Sequence, residues 1–232
     1  MAVIHIEKRV RSPIPLFPDR DTAGSALAAF LKAQPREGAI VLALPRGGIP
    51  VGAPLARALH APLRPVLVRK LPIPDSPEAG FGAVAIDGSR VLNEDLLRRI
   101  QLSAAEIEAV TEQVLAEVRR RARAYAGHEE PPEVRGSEVY FVDDGLASGF
   151  SVLAAARMVR QSNPRAMILA VPTAPVHSLS LVEPYFDEIF AVVAQTHGPF
   201  AVASFYRDFH EMEDSEVTRI LSETNLAVSG LK

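Results

Sequence analysis

Residues 139–151 read Val139-Tyr140-Phe141-Val142-Asp143-Asp144-Gly145-Leu146-Ala147-Ser148-Gly149-Phe150-Ser151. The first four are a short apolar run of the kind that forms a strand buried on both faces, and an apolar helical pattern follows through Val159. A strand that ends in two carboxylates and a small-residue turn, and then opens a helix, presents free backbone N–H groups and the positive end of a helix dipole. Glycine allows close backbone approach, the Ser148 and Ser151 hydroxyls can donate, and ionised Asp143 and Asp144 only accept. The set suits a sugar phosphate, with vicinal hydroxyls on the acids and the phosphate in the turn at Ala147, Ser148, Gly149, Phe150 and Ser151. The plain alternative is an ordinary turn in which Asp and Ser cap a helix.

Working outward, Ala39 to Leu44 is a second apolar run, stopped by Pro45-Arg46-Gly47-Gly48 and followed by a helix from about Val51 to Leu59. Leu63 to Val68 predicts another buried strand, ending at Arg69-Lys70. Residues 71–82 hold three prolines and two glycines, which predicts a loop without regular hydrogen bonding before a strand at Ala83 to Ile86. Ser103 and Glu106 match a capping box at the head of a long helix reaching about Tyr125. Strands at Ala166–Val171 and Glu188–Val193 with a helix near Leu179–Val182 complete the alternation, and an earlier helix is expected from Thr22 to Lys32. Alternating strands and helices imply an α/β fold, a doubly wound and mostly parallel sheet flanked by helices, whose strand-to-helix turns share one edge. The expected organisation is one domain over residues 1–232, with a core at about 36–195, an N-terminal addition at 1–35 and a C-terminal hood or tail at 196–232.

With 232 residues and 48% hydrophobic content the chain can bury one sizeable core. A net charge of −3 gives no general attraction to nucleic acid or anionic lipid, so neither a nucleic-acid nor a membrane partner is expected. Cysteine is absent, which excludes disulfides, thiolate metal sites and a cysteine nucleophile. The first eleven residues lack the apolar region of a signal peptide, and no apolar run reaches membrane-spanning length, so the expected location is cytoplasmic. Arg119-Arg120-Arg121-Ala122-Arg123 reads as a solvated helix end. His210-Glu211-Met212-Glu213-Asp214 resembles a zinc-protease motif but lacks its second histidine. The chain has no Walker lysine and no dinucleotide fingerprint, and Ser148 misses nucleophile-elbow spacing by one position.

Three local patterns, at residues 45–48, 69–70 and 143–151, each follow a predicted buried strand. In that order they resemble the type I phosphoribosyltransferase family, whose signature is an apolar strand, two acids, two small or apolar residues, then Thr-Gly-x-Thr. Here Ser148 and Ser151 stand where threonines are usual, and the hydroxyl donors are kept. The resemblance implies a site for 5-phosphoribosyl-1-pyrophosphate (PRPP) and magnesium: Arg46, Gly47, Gly48, Arg69 and Lys70 toward the pyrophosphate, Asp143 and Asp144 on the ribose and the metal, and Gly145 with loop 147–151 on the 5-phosphate. It also implies transfer of the phosphoribosyl group to a nitrogen acceptor such as a nucleobase, and a homodimer. Residues 71–82 would be the family's flap, although they carry no Lys, Arg or His. The pattern Arg-Lys-Leu then Gly-Ala-Val-Ala, with Phe200 to Phe209, resembles a bacterial and archaeal branch in which Phe200, Phe205 or Tyr206 would stack on the acceptor. Alternatives are a non-catalytic PRPP or nucleotide-binding regulator on the same fold, and a phosphoryl-transfer or hydrolytic enzyme using Asp143 as nucleophile.

Overall fold

The computed structural model describes residues 1–74 and 76–231. In chain order the elements are β1 (Val3–Val10), α1 (Arg20–Phe30), β2 (Ala39–Ala43), α2 (Gly48–Leu59), β3 (Leu63–Pro65), β4 (Val68–Ile73), β5 (Ser76–Ala85), β6 (Arg90–Leu92) and α3 (Glu94–Ile100). The chain continues through α4 (Ala104–Ala126), β7 (Glu138–Val142), α5 (Phe150–Arg160), β8 (Ala166–Pro175), α6 (Val176–Val182), β9 (Glu188–Gln195) and α7 (Asp214–Ser229). Six strands form a parallel sheet in the order β1-β9-β8-β7-β2-β3. Its central strands are apolar throughout because helices cover both faces: Val41, Val139, Phe141, Leu169 and Ile189 are fully buried. Since β2 and β7 are neighbours, the loops at 45–48 and 143–149 leave the sheet side by side at its carboxyl edge.

Three stretches differ from the sequence expectation. Residues 71–73 and 76–82 are strands where the sequence predicts a loop: β4 and β5 form an antiparallel hairpin that β6 extends to a separate three-stranded sheet. Proline is tolerated there because the pairing shifts register on both sides of Pro72, so the missing N–H falls at an irregularity. Asp75 lies outside the described residues. The N-terminal segment is not merely an addition, since Val3–Val10 pairs with β9 as the edge of the main sheet. Its charges at Glu7, Lys8 and Arg9 are compatible with a strand that is solvated on one side. Finally, the predicted strand to Val68 is cut short at Pro65, and Val68 already belongs to the second sheet.

The remaining additions close the fold. Helix α4 opens with the expected capping box between Ser103 and Glu106. Helix α7 buries Val217, Leu221, Thr224 and Val228, a single helical stripe, and packs mainly on α2. At the sheet edge the Asn225 side-chain amide accepts from the Leu63 N–H at 2.9 Å and donates to the Leu63 carbonyl at 3.0 Å. Among the described residues no helix is long and apolar enough to cross a membrane.

Candidate functional site

The acidic turn is held from three sides. Strand β7 delivers Asp143 and Asp144, and the Asp144 N–H donates back to Asp143 Oδ1 at 2.8 Å, which fixes the first carboxylate over the second residue's backbone. From the neighbouring strand, the Leu44 N–H donates to the Val142 carbonyl at 2.9 Å and brings the first loop against the acids. The contact is close enough that a β-carbon on Gly47 would lie 1.9 Å from Asp144 Oδ2, and one on Gly48 would lie 2.7 Å from the Val142 carbonyl oxygen. Both glycines are therefore required by the approach of two loops, with no positive φ involved. The Pro45-Arg46 peptide is cis.

On the third side stands Arg20, which the sequence did not single out. Its Nε donates to Asp144 Oδ2 at 2.9 Å, its Nη1 donates to the His210 carbonyl at 3.0 Å, and its guanidinium carbon lies 3.8 Å from the Phe209 ring centre. Arg20 and Asp144 are only 10% and 15% exposed at the side chain, so the pair is largely withdrawn from water. Burial, and after it the Asp144 charge, push the Asp143 carboxyl well above the usual carboxylate range. Burial also raises Asp144, while Arg20 pulls it back. Among the described residues only one of the two adjacent acids thus has a cation in contact with it, which leaves Asp143 the more strongly perturbed.

Beyond the acids the chain turns through Ala147 and Ser148, both exposed, to Gly149, whose φ of 85° is the left-handed conformation that favours glycine. No described side chain caps α5, so its first-turn N–H groups face the turn, and among the described residues the Ser148 and Ser151 hydroxyls make no hydrogen bond. The reading of Asp and Ser as mere helix caps therefore fails here.

The aromatic segment is a lid of a different kind from the one expected. Phe205 is fully buried and Tyr206 is 5% exposed, so neither ring has a face free to stack on a ligand. Tyr206 instead donates its hydroxyl to the Asp144 carbonyl at 2.6 Å, and its ring packs between Phe17 and Phe209 at 5.4 and 5.1 Å. Val202 closes on Gly145, where a β-carbon would meet Val202 Cγ1 at 2.7 Å. Phe200 is the partly exposed ring of the three, tilted on Phe205 at 5.4 Å. Backbone bonds from Phe17 to Phe205 and from Arg207 to Phe17, both 2.9 Å, knit this segment to the N-terminal one around the acids.

The cations sit farther out. Arg46 contacts Glu211 and lies 3.8 Å from Asp214, and Arg69 Nη1 lies 3.2 Å from Glu117 Oε1. The Lys70 stem packs on Gly80 across the hairpin, where a β-carbon would lie 2.4 Å from Lys70 Cγ. His210 contacts Asp208 and Glu216 at 3.2 and 3.3 Å, a surface ion-pair arrangement in place of a zinc ligand set. Among the described residues no group of three or more His, Asp or Glu side chains converges on a metal position. Two adjacent carboxylates nevertheless fit a magnesium ion whose remaining ligands are phosphate oxygens and water, which is how that ion is commonly bound.

Comparison with known proteins identifies the family. The phosphoribosyl transferase domain model matches residues 21–205. A Mycobacterium tuberculosis protein (strain H37Rv), provisionally named a phosphoribosyl transferase, is 38% identical over 210 residues, and its counterpart in strain CDC 1551 / Oshkosh is equally similar. The match takes in 90% of this chain and 47% of the relative, so the chain spans about half the length of the curated relatives it matches. A crystal structure from Thermus thermophilus superposes with a TM-score of 0.71 at 36% identity, covering 89% of this chain and 98% of that one. The parallel sheet, the paired acids at the end of its central strand and these matches make the chain a member of the phosphoribosyl transferase domain family.

Proposed function

We propose that the chain transfers the 5-phosphoribosyl group of PRPP to a nitrogen acceptor, a nucleobase or similar ring, with release of pyrophosphate. One observation carries this reading: two strand-end loops, one bearing paired acids and the other two glycines, meet so closely that a β-carbon at Gly47 would collide with Asp144. Acceptors stand on one side of this meeting and a glycine backbone on the other, and α5 begins without a side-chain cap just beyond the acidic turn. The 5-phosphate takes the α5 N-terminus with Ser148, Gly149 and Ser151, the ribose hydroxyls take Asp143 and Asp144, and the pyrophosphate takes loop 46–48 with Arg69 and Lys70.

In the reaction the C1–O bond to pyrophosphate breaks and its electron pair leaves with the pyrophosphate. The acceptor nitrogen's lone pair forms the new N–C1 bond, and its proton passes to solvent. Positive charge grows on the ribose as the bond breaks, and the ionised acids stabilise it, while guanidinium groups stabilise the negative charge that departs. Magnesium, when bound, supplies further neutralisation of that departing charge. Orientation by the two loops contributes more than any single proton transfer, since no acid or base is required at the reacting carbon.

The test is incubation with magnesium and PRPP against a panel of purines, pyrimidines and amide donors, with released pyrophosphate measured. Acceptor-dependent release supports the transferase; tight PRPP binding without release under any acceptor replaces it by the regulator reading. Substituting Asp143→Asn together with Asp144→Asn weakens PRPP binding by about tenfold or more in a calorimetric titration, by loss of charge-assisted acceptors. Unchanged affinity in that pair would remove the acids from the site.

A further inference from the structure

The hairpin that borders the site carries no basic side chain between residues 71 and 82, yet a departing polyphosphate needs cations. Helix α4, which packs on β4, supplies a group of them. Arg120 reaches both oxygens of Glu117, through Nε and Nη2, each at 2.8 Å. Arg121 Nε lies 3.0 Å from Glu117 Oε1, and Arg69 of β4 approaches the same oxygen at 3.2 Å. Three guanidiniums around one carboxylate leave two positive charges in surplus, three minus one. Burial first, then Arg121, Arg46 and Arg120, pull the Arg69 pKa down, so the cations of loop 46–48, β4 and α4 act on one another. The group borders an open cavity of 810 Å³ lined by Arg69, Pro72, Ile73, Gln113, Glu117 and Arg120.

The arginine run on α4 is divided by helical geometry. Arg119 and Arg123, four residues apart on another face, turn to Glu129, while Arg120 and Arg121 turn to Glu117 and the hairpin. Between the acids and α4, Gly47 abuts Asp144, Arg46 of the same loop pairs with Asp214, and Tyr125, one helical turn beyond Arg121, donates to Asp214.

We propose that Arg120 and Arg121 bind the leaving pyrophosphate, supplying from α4 the cations that the hairpin lacks, and that Glu117 holds them with Arg69 while the site is empty. The inference rests on the transferase reading above. A polyphosphate outcompetes a single carboxylate for these groups because each guanidinium fork can meet two phosphate oxygens. Pyrophosphate binding therefore displaces Glu117 from at least two of its three partners.

Calorimetric titration with magnesium pyrophosphate, and separately with ribose 5-phosphate, tests this on the full chain. The double variant Arg120→Gln/Arg121→Gln weakens pyrophosphate binding by about tenfold or more and leaves ribose 5-phosphate within about twofold. Arg119→Gln/Arg123→Gln removes the same charge from the same helix and changes pyrophosphate binding by less than about twofold, because charges outside the site are screened. Glu117→Gln tightens pyrophosphate binding by about threefold or more, the opposite sign to a structural defect. Equal losses in the two double variants, or no loss in the first, overturn the proposal while intact ribose 5-phosphate binding keeps the acidic site standing. If the unaltered protein binds neither probe, the transferase reading fails with it.

Discussion

The acidic turn at residues 143–145 and the arginine group around Glu117 both crowd like charges together, but they do so in opposite surroundings. Asp143 and Asp144 lie against Tyr206 and the first loop, and Arg20, 10% exposed and itself stacked on Phe209, contacts Asp144. Arg69 and Arg120 are 42% and 53% exposed, and water shares the work of offsetting them. Buried charge is costly and position-sensitive, whereas solvated charge is adjustable. The difference teaches where this chain's stability depends on charge: in holding two acids where they would otherwise neutralise, not in its numerous surface ion pairs.

The largest expected effect follows from Arg20, the cation in contact with Asp144. Arg20→Ala removes the bond to Asp144, the bond to the His210 carbonyl and the stacking on Phe209 at once, and destabilises the fold by about 3 kcal/mol in chemical denaturation. A loss under about 1 kcal/mol would mean that the acids are as well solvated as the arginines. Next, Gly47→Ala forces the Asp144 carboxylate or the loop to move, which lowers stability by about 2 kcal/mol and takes PRPP affinity with it. Retained affinity would show that the two loops need not touch.

The third prediction has the reverse sign. A carboxyl whose folded pKa lies above its unfolded value contributes stability that is complete below the unfolded pKa and is lost as pH rises through the folded one. Asp143→Asn keeps an oxygen to accept from the Asp144 N–H and removes the buried charge, so at neutral pH it raises stability in chemical denaturation. The advantage vanishes below about pH 4, where the parent acid is protonated in both states. A variant destabilised at neutral pH would show that Asp143 is structural. By the same titration, PRPP binding to the parent protein strengthens as pH rises and the raised acids ionise. Smallest is Arg69→Gln, which changes stability by less than about 0.5 kcal/mol because Arg69 is exposed and its partner Glu117 keeps two other arginines.

Legibility in the sequence followed the range of the interactions. The acidic turn, its serines and the uncapped helix lie within nine residues, 143–151, and could be read directly. Arg20 stands 124 residues from Asp144, and nothing local marks it; only the assembled fold brings it there. Phe205 and Tyr206 were visible as aromatics, but whether a ring faces a ligand or the core is decided by packing, and the core took them. The hairpin was hidden by its prolines, which outweighed the apolar residues between them until the register shifts at Pro72 accommodated the missing donor. Helix α7 did leave a signal, the helical spacing of Val217, Leu221, Thr224 and Val228 behind a capping box at Glu213 and Glu216. The run at 119–123 shows the limit most clearly, since its composition says only that it is basic, and the helix sorts it into two faces with different partners.

The amide of Asn225 against Leu63 has a consequence for how molecules of this chain can meet. Along the outer border of β3 the outward-facing donor and acceptor of Leu63 are both occupied, and the next outward position, Pro65, has no N–H to offer. A foreign strand arriving at that border finds no ladder to continue, so a helix acts as the stop that keeps the sheet from growing sideways into aggregates.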